Sequence, residues 1–180
     1  MTEVVDYDAS WPAAYARAAE QLRAVGTGRW LVEHIGSTSV PGLSAKPIID
    51  LAVRVGSFDE LDDRRQGLVD NGWLSLRRQP HGHRVRVKEV AGCRTHIAHF
   101  FTADQWETCH QRLFRDWLRS HSADAARYQE LKLAAAAEED GSAYGARKQP
   151  LVLDIVNRAR AARGLPPIDD LDPERSISSG

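Results

Sequence analysis

At 180 residues and 42% hydrophobic, the chain is long enough to form one domain with a sizeable core. Its 24 basic and 25 acidic side chains nearly cancel, giving a formal net charge of −1, which excludes the global positive field of a nucleic-acid or anionic-membrane binder. Cys93 and Cys109 make neither a CxxC nor a zinc-ligand spacing, so no disulfide framework is expected. No apolar run approaches the roughly 18 residues that a membrane span needs, and MTEVVDYDASWPAAY is not a leader pattern. The expected location is the cytoplasm.

Ser10 is a helix-cap residue and Pro12 suits a first turn, so AAYARAAEQLRAV reads as a helix ending near Gly26. RWLVEHI, 29–35, reads as a strand, followed by the loop GSTSVPGLSA with room for a helical turn. KPIIDLAVRV is the second strand, almost continuously apolar, as strands covered on both faces are. SFDE, 57–60, is a capping box, and the helix it opens stops at Asn71-Gly72. WLSLRR, 73–78, reads as a strand.

HRVRVKEV alternates, with Val85 and Val87 on one face and Arg84, Arg86 and Lys88 on the other. Ala91-Gly92 predicts a hairpin into CRTHIAHFF. Thr102 and Gln105 open a helix reaching about Ser120, Ser122 opens another, and a third covers roughly 144–163, with Pro150 tending to move its start later. GLPPIDDLDPERSISSG, rich in proline, serine and acid, is expected to be a mobile tail. The order predicts an α+β fold: a small mixed sheet with an N-terminal helix and a C-terminal helical layer. A single domain is expected over 1–164, its sheet region spanning 1–101 and its helical region 102–164, with a tail over 165–180.

Chemistry concentrates in HIGSTSVPGLSAKPIIDLAV, 34–53. Gly36 after a strand lets the backbone turn and a ligand approach. Ser37, Thr38 and Ser39 then offer hydroxyls and N–H groups to phosphate oxygens, the more so if a helical turn begins there. Asp50 is a lone carboxylate inside an apolar strand, a costly placement unless it is paired or holds a cation. Beside a phosphate cradle, that carboxylate implies a bridging metal, for which Mg²⁺ is the natural choice.

This layout is similar to the DNA polymerase β-like nucleotidyltransferases, in which a strand, Gly-Ser, a short helix and a strand bearing Asp-x-Asp follow one another. HIGSTSVPGLSAKPIIDL resembles the signature of the GrpB family within that superfamily. VVDYDASWPAAY, HGHRVRV, THIAHFF and LFRDWLRSH, then Tyr128 with Lys132 and Tyr144 with Lys148, carry the resemblance along most of the chain. It implies a nucleotidyltransferase-like fold and transfer of a nucleotidyl group from an NTP, ATP foremost, to a small-molecule acceptor. Gly36 and Ser37 would hold phosphates and Asp50 the Mg²⁺. Lys46 with Arg84, Arg86 and Lys88 would stabilise phosphate charge, and Arg115 and Arg119 would close the pocket. His99 would be a base or an altered metal ligand.

The position of the second acid is Ala52, on the same strand face as Asp50, which puts two-metal catalysis in doubt. Glu33 is a substitute only if it shares that face. A non-catalytic nucleotide-sensing module, and a ligase adenylating a small carboxylic acid, are the alternative functions. Zinc held by His81, His83, His96 and His99 ranks below Mg²⁺, because His96 and His99 point to opposite faces of a strand. Nucleic acid is not the expected acceptor, since neither net charge nor an aromatic–basic stripe favours it. Each site residue has a structural reading too: an ion pair to Lys46 or Arg84 for Asp50, a helix cap for Ser37, a solvated sheet face for the arginine stripe, and packing for Tyr128 and Lys132.

Overall fold

Helix α1 (Trp11–Val25) leads into strand β1 (Leu31–Ile35), a 3-10 turn over Ser37–Ser39, and strand β2 (Ile49–Arg54). Two short helices, α2 (Phe58–Asp63) and α3 (Arg65–Asp70), connect to β3 (Leu74–Ser75), β4 (Arg84–Val90) and β5 (Cys93–Phe101). Helices α4 (Ala103–Trp106), α5 (His110–Ser120), α6 (Ser122–Ala137) and α7 (Ala143–Ala161) complete the fold. The computed structural model describes residues 4–80, 82–137 and 143–171. The α+β arrangement expected from the element order is the observed one.

The strands form one five-stranded sheet in the order β1-β2-β5-β4-β3. Only β2 and β5 run parallel, and the remaining pairs are antiparallel. The predicted β4–β5 hairpin is present, turning at Ala91 (φ 50°) and Gly92 (φ 76°). Because side chains alternate along a strand, register assigns every residue to a face. Asp50 stands opposite Ile35 and Ile97, and Ala52 opposite Glu33 and His99. Those residues share one face; Leu51, Val53, Ala98 and Phe100 share the other.

The second face is covered by α1 and α3, in a core built on Leu22, Trp30, Leu51, Leu68, Trp73 and Phe100, all almost fully buried. The first face carries a smaller cluster of Ile35, Ala52, Phe101, Trp106 and Cys109. A third core of Val40, Leu43, Phe114, Leu118, Tyr128, Ile155 and Val156 joins the 3-10 turn region to the helices.

Several local expectations shift. Ser10 makes no capping bond with its side chain; instead Asp8 accepts a hydrogen bond from its backbone N–H at 2.7 Å. Ser57 does cap α2, accepting from the Glu60 N–H at 3.1 Å, but the single helix expected here breaks in two at Arg64. The strand expected over 73–78 shrinks to two residues. Pro150 lies inside α7 rather than delaying its start.

Residues 165–171, expected as tail, fold back onto the helical layer. Ile168 exchanges two hydrogen bonds of 2.9 Å with the Asn157 side chain, and Ile168 and Leu171 pack on the third core. The two apolar residues outweigh the polar composition around them. Residues 172–180, and His81 of the zinc reading, lie outside the described residues. No helix of the described residues is long and apolar enough to cross a membrane.

Candidate functional site

The β1-to-turn junction builds the floor of a cavity of about 340 Å³. Gly36 has φ 71° and ψ −176°, a conformation that an L side chain rarely adopts. A Cβ there would fall 2.4 Å from Asp50 Oδ2, so glycine is required both by the turn and by the close approach of the carboxylate. Ser39 donates its hydroxyl to the Gly36 carbonyl at 2.6 Å. The Thr38 hydroxyl donates to the Ile48 carbonyl at 3.3 Å and lies 3.0 Å from His34 Nε2. Thr38 and Ser39 therefore stabilise the turn, while Ser37 lines the cavity with a hydroxyl that has no hydrogen-bond partner among the described residues.

Gly36→Ala would place its Cβ against Asp50 and force a left-handed alanine. It is expected to cost about 1–3 kcal/mol of stability and to displace the carboxylate. Urea denaturation and a ligand titration of the same variant check both effects.

Helices α5, α6 and α7 roof the cavity. Lys132 on α6 and Lys148 on α7 reach in beside Asp50, and Lys46 enters from the loop before β2. Lys132 is 2% exposed, donates to the Ser44 carbonyl at 2.7 Å, and holds its ammonium 5.3 Å from the centre of the Tyr128 ring. Ile35, Ile48, Ile97, Phe114 and Val152 make the remaining walls largely apolar.

In this poorly solvated space burial pushes the Asp50 carboxyl up to about 7, against the pull of Lys148 and Lys132. Burial likewise lowers Lys132 to about 7 and Lys148 to about 8; repulsion between neighbouring ammoniums adds to this, and Asp50 opposes it.

His99 shares the cavity face, beside Ala52. Burial, with His83 and His110 nearby, lowers it to about 3, and its Nδ1 is 3.1 Å from His83 Nε2. An imidazole held this firmly neutral is a weak base near pH 7, which does not suit the proton-accepting role expected for His99.

Six residues placed at the site by sequence lie elsewhere. Arg84, Arg86 and Lys88 pair across from Phe100, Ala98 and His96, on the sheet face turned away from the cavity. Arg84 lies over the Phe58 ring at 5.0 Å, Arg86 donates to Ser75 Oγ at 3.1 Å, and Lys88 donates to Gln21 and covers Trp73. Ser39 is buried in the turn. Arg115 and Arg119 do not close over the cavity. Arg115 donates to the His34 carbonyl at 2.9 Å, and Arg119 donates two N–H groups to the Ser39 carbonyl at 3.0 and 2.7 Å. Both arginines hold the backbone on either side of Gly36 and so position the turn.

Glu33 does point to the face of Asp50, but it is already engaged. Arg112 grips both its oxygens at 3.1 and 3.0 Å, and Arg115 adds a contact at 2.8 Å. Burial raises its carboxyl, but the two arginines outweigh burial and hold it below the ordinary range. Among the described residues no three of His, Cys, Asp or Glu converge to hold a metal ion. Among the described residues, therefore, no preformed Mg²⁺ or zinc site stands around Asp50: alanine holds the second acid position and Glu33 is engaged by the two arginines.

His34, 8% exposed, stacks on Tyr15 with ring centres 4.8 Å apart. Burial, then Arg119 and Arg115, lower it to about 4 from 6.5. The folded protein thus keeps this imidazole neutral where the unfolded chain protonates it, and stability is lost as pH falls from 6.5 towards 4. His34→Gln is expected to flatten that acid slope by one proton, roughly 1.4 kcal/mol per pH unit; thermal unfolding at stepped pH measures it.

Lys132 and Lys148 line the cavity without being among the site residues expected from the sequence. The available signal was a tyrosine followed four residues later by a lysine, twice, on the two helices; packing explains such a pair equally well.

A family model described as GrpB protein matches residues 1–158. UPF0157 protein SCO7215 of Streptomyces coelicolor is 36% identical over 160 residues, covering 88% of this chain and 84% of that protein. The crystal structure of conserved protein GrpB from Enterococcus faecalis has a TM-score of 0.79 at 30% identity, over 89% of this chain and 99% of that one. The MgGTP-bound Cid1 poly(U) polymerase has a TM-score of 0.50 at 15% identity, over 72% of this chain and 42% of its own, a likeness of fold.

Proposed function

The chain belongs to the GrpB family and has a nucleotidyltransferase-like fold, and on that premise we propose that it binds a nucleoside triphosphate and transfers the nucleotidyl group to a small-molecule acceptor. The observation that carries this reading is the convergence of the Gly36–Ser37 turn, Asp50 and three lysines in one cavity. ATP is the first donor to test.

The phosphates lie on the Gly36 backbone, the Ser37 hydroxyl and the ammoniums of Lys46, Lys132 and Lys148, where charge-assisted hydrogen bonds are strongest. An acceptor hydroxyl or amine attacks the α-phosphorus and its proton passes to Asp50. The bond to the bridging oxygen breaks, and pyrophosphate leaves with its charge met by the lysines. Asp50, pushed up to about 7, is matched to this task at neutral pH. Cid1 binds GTP with Mg²⁺; here Asp50 is the one carboxylate lining the cavity among the described residues, with Ala52 in the second acid position. Ala52 favours a second reading, nucleotide sensing without turnover.

Thermal unfolding with each NTP tests the proposal. A nucleotide at 100 times its Kd adds about 2.7 kcal/mol, or roughly 5–10 °C for a domain of this size. No shift with any NTP would sink the nucleotide reading. Pyrophosphate release with an acceptor panel then separates transfer from sensing, since a sensor binds and releases none.

A further inference from the structure

We infer that residues 165–171 help to set which ligand the cavity accepts: Leu171 completes an apolar wall against which the base and ribose of a bound nucleotide pack. This rests on the nucleotide reading above and adds a specificity-determining residue to it.

Three observations support it. First, Leu171 lines the cavity together with Phe114, Tyr128 and Val152. All four belong to the third core or pack against it, and the Phe114 and Tyr128 rings meet edge to face with centres 5.0 Å apart. One wall of the cavity is therefore the face of a packed core, where Phe114, Val152 and Leu171 offer a ligand apolar contact alone. Gly36, Ser37 and Asp50 line the same cavity with polar groups. A few placed polar groups beside an apolar wall suit a ligand with a polar group joined to a ring body, as a nucleotide is.

Second, the segment is fastened at alternate residues. The Pro166 carbonyl accepts from Arg160 Nε at 2.6 Å, Ile168 exchanges two bonds of 2.9 Å with the Asn157 side chain, and Asp170 accepts from Gln149 Nε2 at 3.0 Å. All three partners stand on α7. These bonds hold the half-buried Leu171 at the wall.

Third, the family model ends at residue 158. The turn and Asp50 lie inside the matched region, whereas Leu171 lies outside it. The polar groups thus belong to the shared part of the fold, and part of the apolar wall belongs to a segment that can differ without disturbing the turn.

The test is isothermal titration of the full chain with ATP and with inorganic triphosphate, which lacks base and ribose, each with Mg²⁺ present. Leu171→Ala is expected to weaken ATP binding roughly threefold to tenfold and to leave triphosphate binding within about twofold of wild type. Leu171→Met keeps an apolar side chain and is expected to bind ATP as wild type does; this comparison carries the test should triphosphate bind too weakly to measure. Asn157→Ala, which removes both bonds to Ile168 from outside the cavity, is expected to weaken ATP binding in the same direction, again sparing triphosphate.

ATP affinity unchanged in both alanine variants would overturn the inference and leave the nucleotide reading standing. Equal weakening of ATP and triphosphate would also overturn it, since the effect would then act on the polar groups. No binding of any NTP to wild type or variants would remove the nucleotide reading and the role of Leu171 with it.

Discussion

Asp50→Asn is expected to lower pyrophosphate release by a factor of about 10²–10⁴ while nucleotide binding persists. Asparagine matches the shape of the protonated carboxyl, which burial already favours near pH 7, so the substitution leaves the cavity walls and the approach of Gly36 in place. It cannot accept a proton, and two of its neighbours at the cavity are poor substitutes. His99 is lowered to about 3. Lys132, lowered to about 7, donates to Ser44. Single-turnover assays with wild type and variant at matched nucleotide saturation measure the loss. Unchanged turnover in a folded variant would remove Asp50 from the chemistry and leave it a structural carboxylate among lysines.

The second large effect concerns stability. Glu33→Ala removes the carboxylate that Arg112 and Arg115 share. The Arg115 and Arg112 side chains are only 7% and 12% exposed, and stranding buried charge in this way costs about 3–5 kcal/mol. The lower end is expected, because each guanidinium keeps other partners. Arg115 retains Asp116 and the His34 carbonyl; Arg112 retains Glu107 and the face of Trp106. About 3 kcal/mol lowers the unfolding midpoint by roughly 6–12 °C. Glu33→Gln, which still accepts hydrogen bonds, is expected to lose less. A midpoint within about 1 °C of wild type for Glu33→Ala would show that solvent reaches this cluster freely. Arg115 also holds the backbone before Gly36, so the alanine variant is further expected to weaken ligand binding through the turn.

The site divides sharply between what is local and what is distant along the chain. The Gly36–Ser37 turn and Asp50 are legible because one short connection brings strand, turn and strand together. The need for glycine there follows from an angle and a contact, both set within that segment. Alternation along β4 correctly groups Arg84, Arg86 and Lys88 on one face. It carries no information about which layer covers that face, and the layer is α1 with Trp73 rather than the cavity. Arg115 and Arg119 illustrate the same limit. Helical spacing puts them near each other, but only the docking of α5 on β1 decides that their donors go to backbone carbonyls.

What the amino-acid sequence determined by itself was the order of elements, the mixed sheet with its helical layer, and the carboxylate beside a glycine turn. These depend on periodicity, capping and backbone sterics, which act over a few residues. Tertiary structure alone decided that Lys132 and Lys148 meet Asp50, that Glu33 is consumed by two arginines, and that residues 165–171 close onto the helices. Those outcomes depend on burial, and the charge state and partners of a buried group are set by whatever distant segment packs against it.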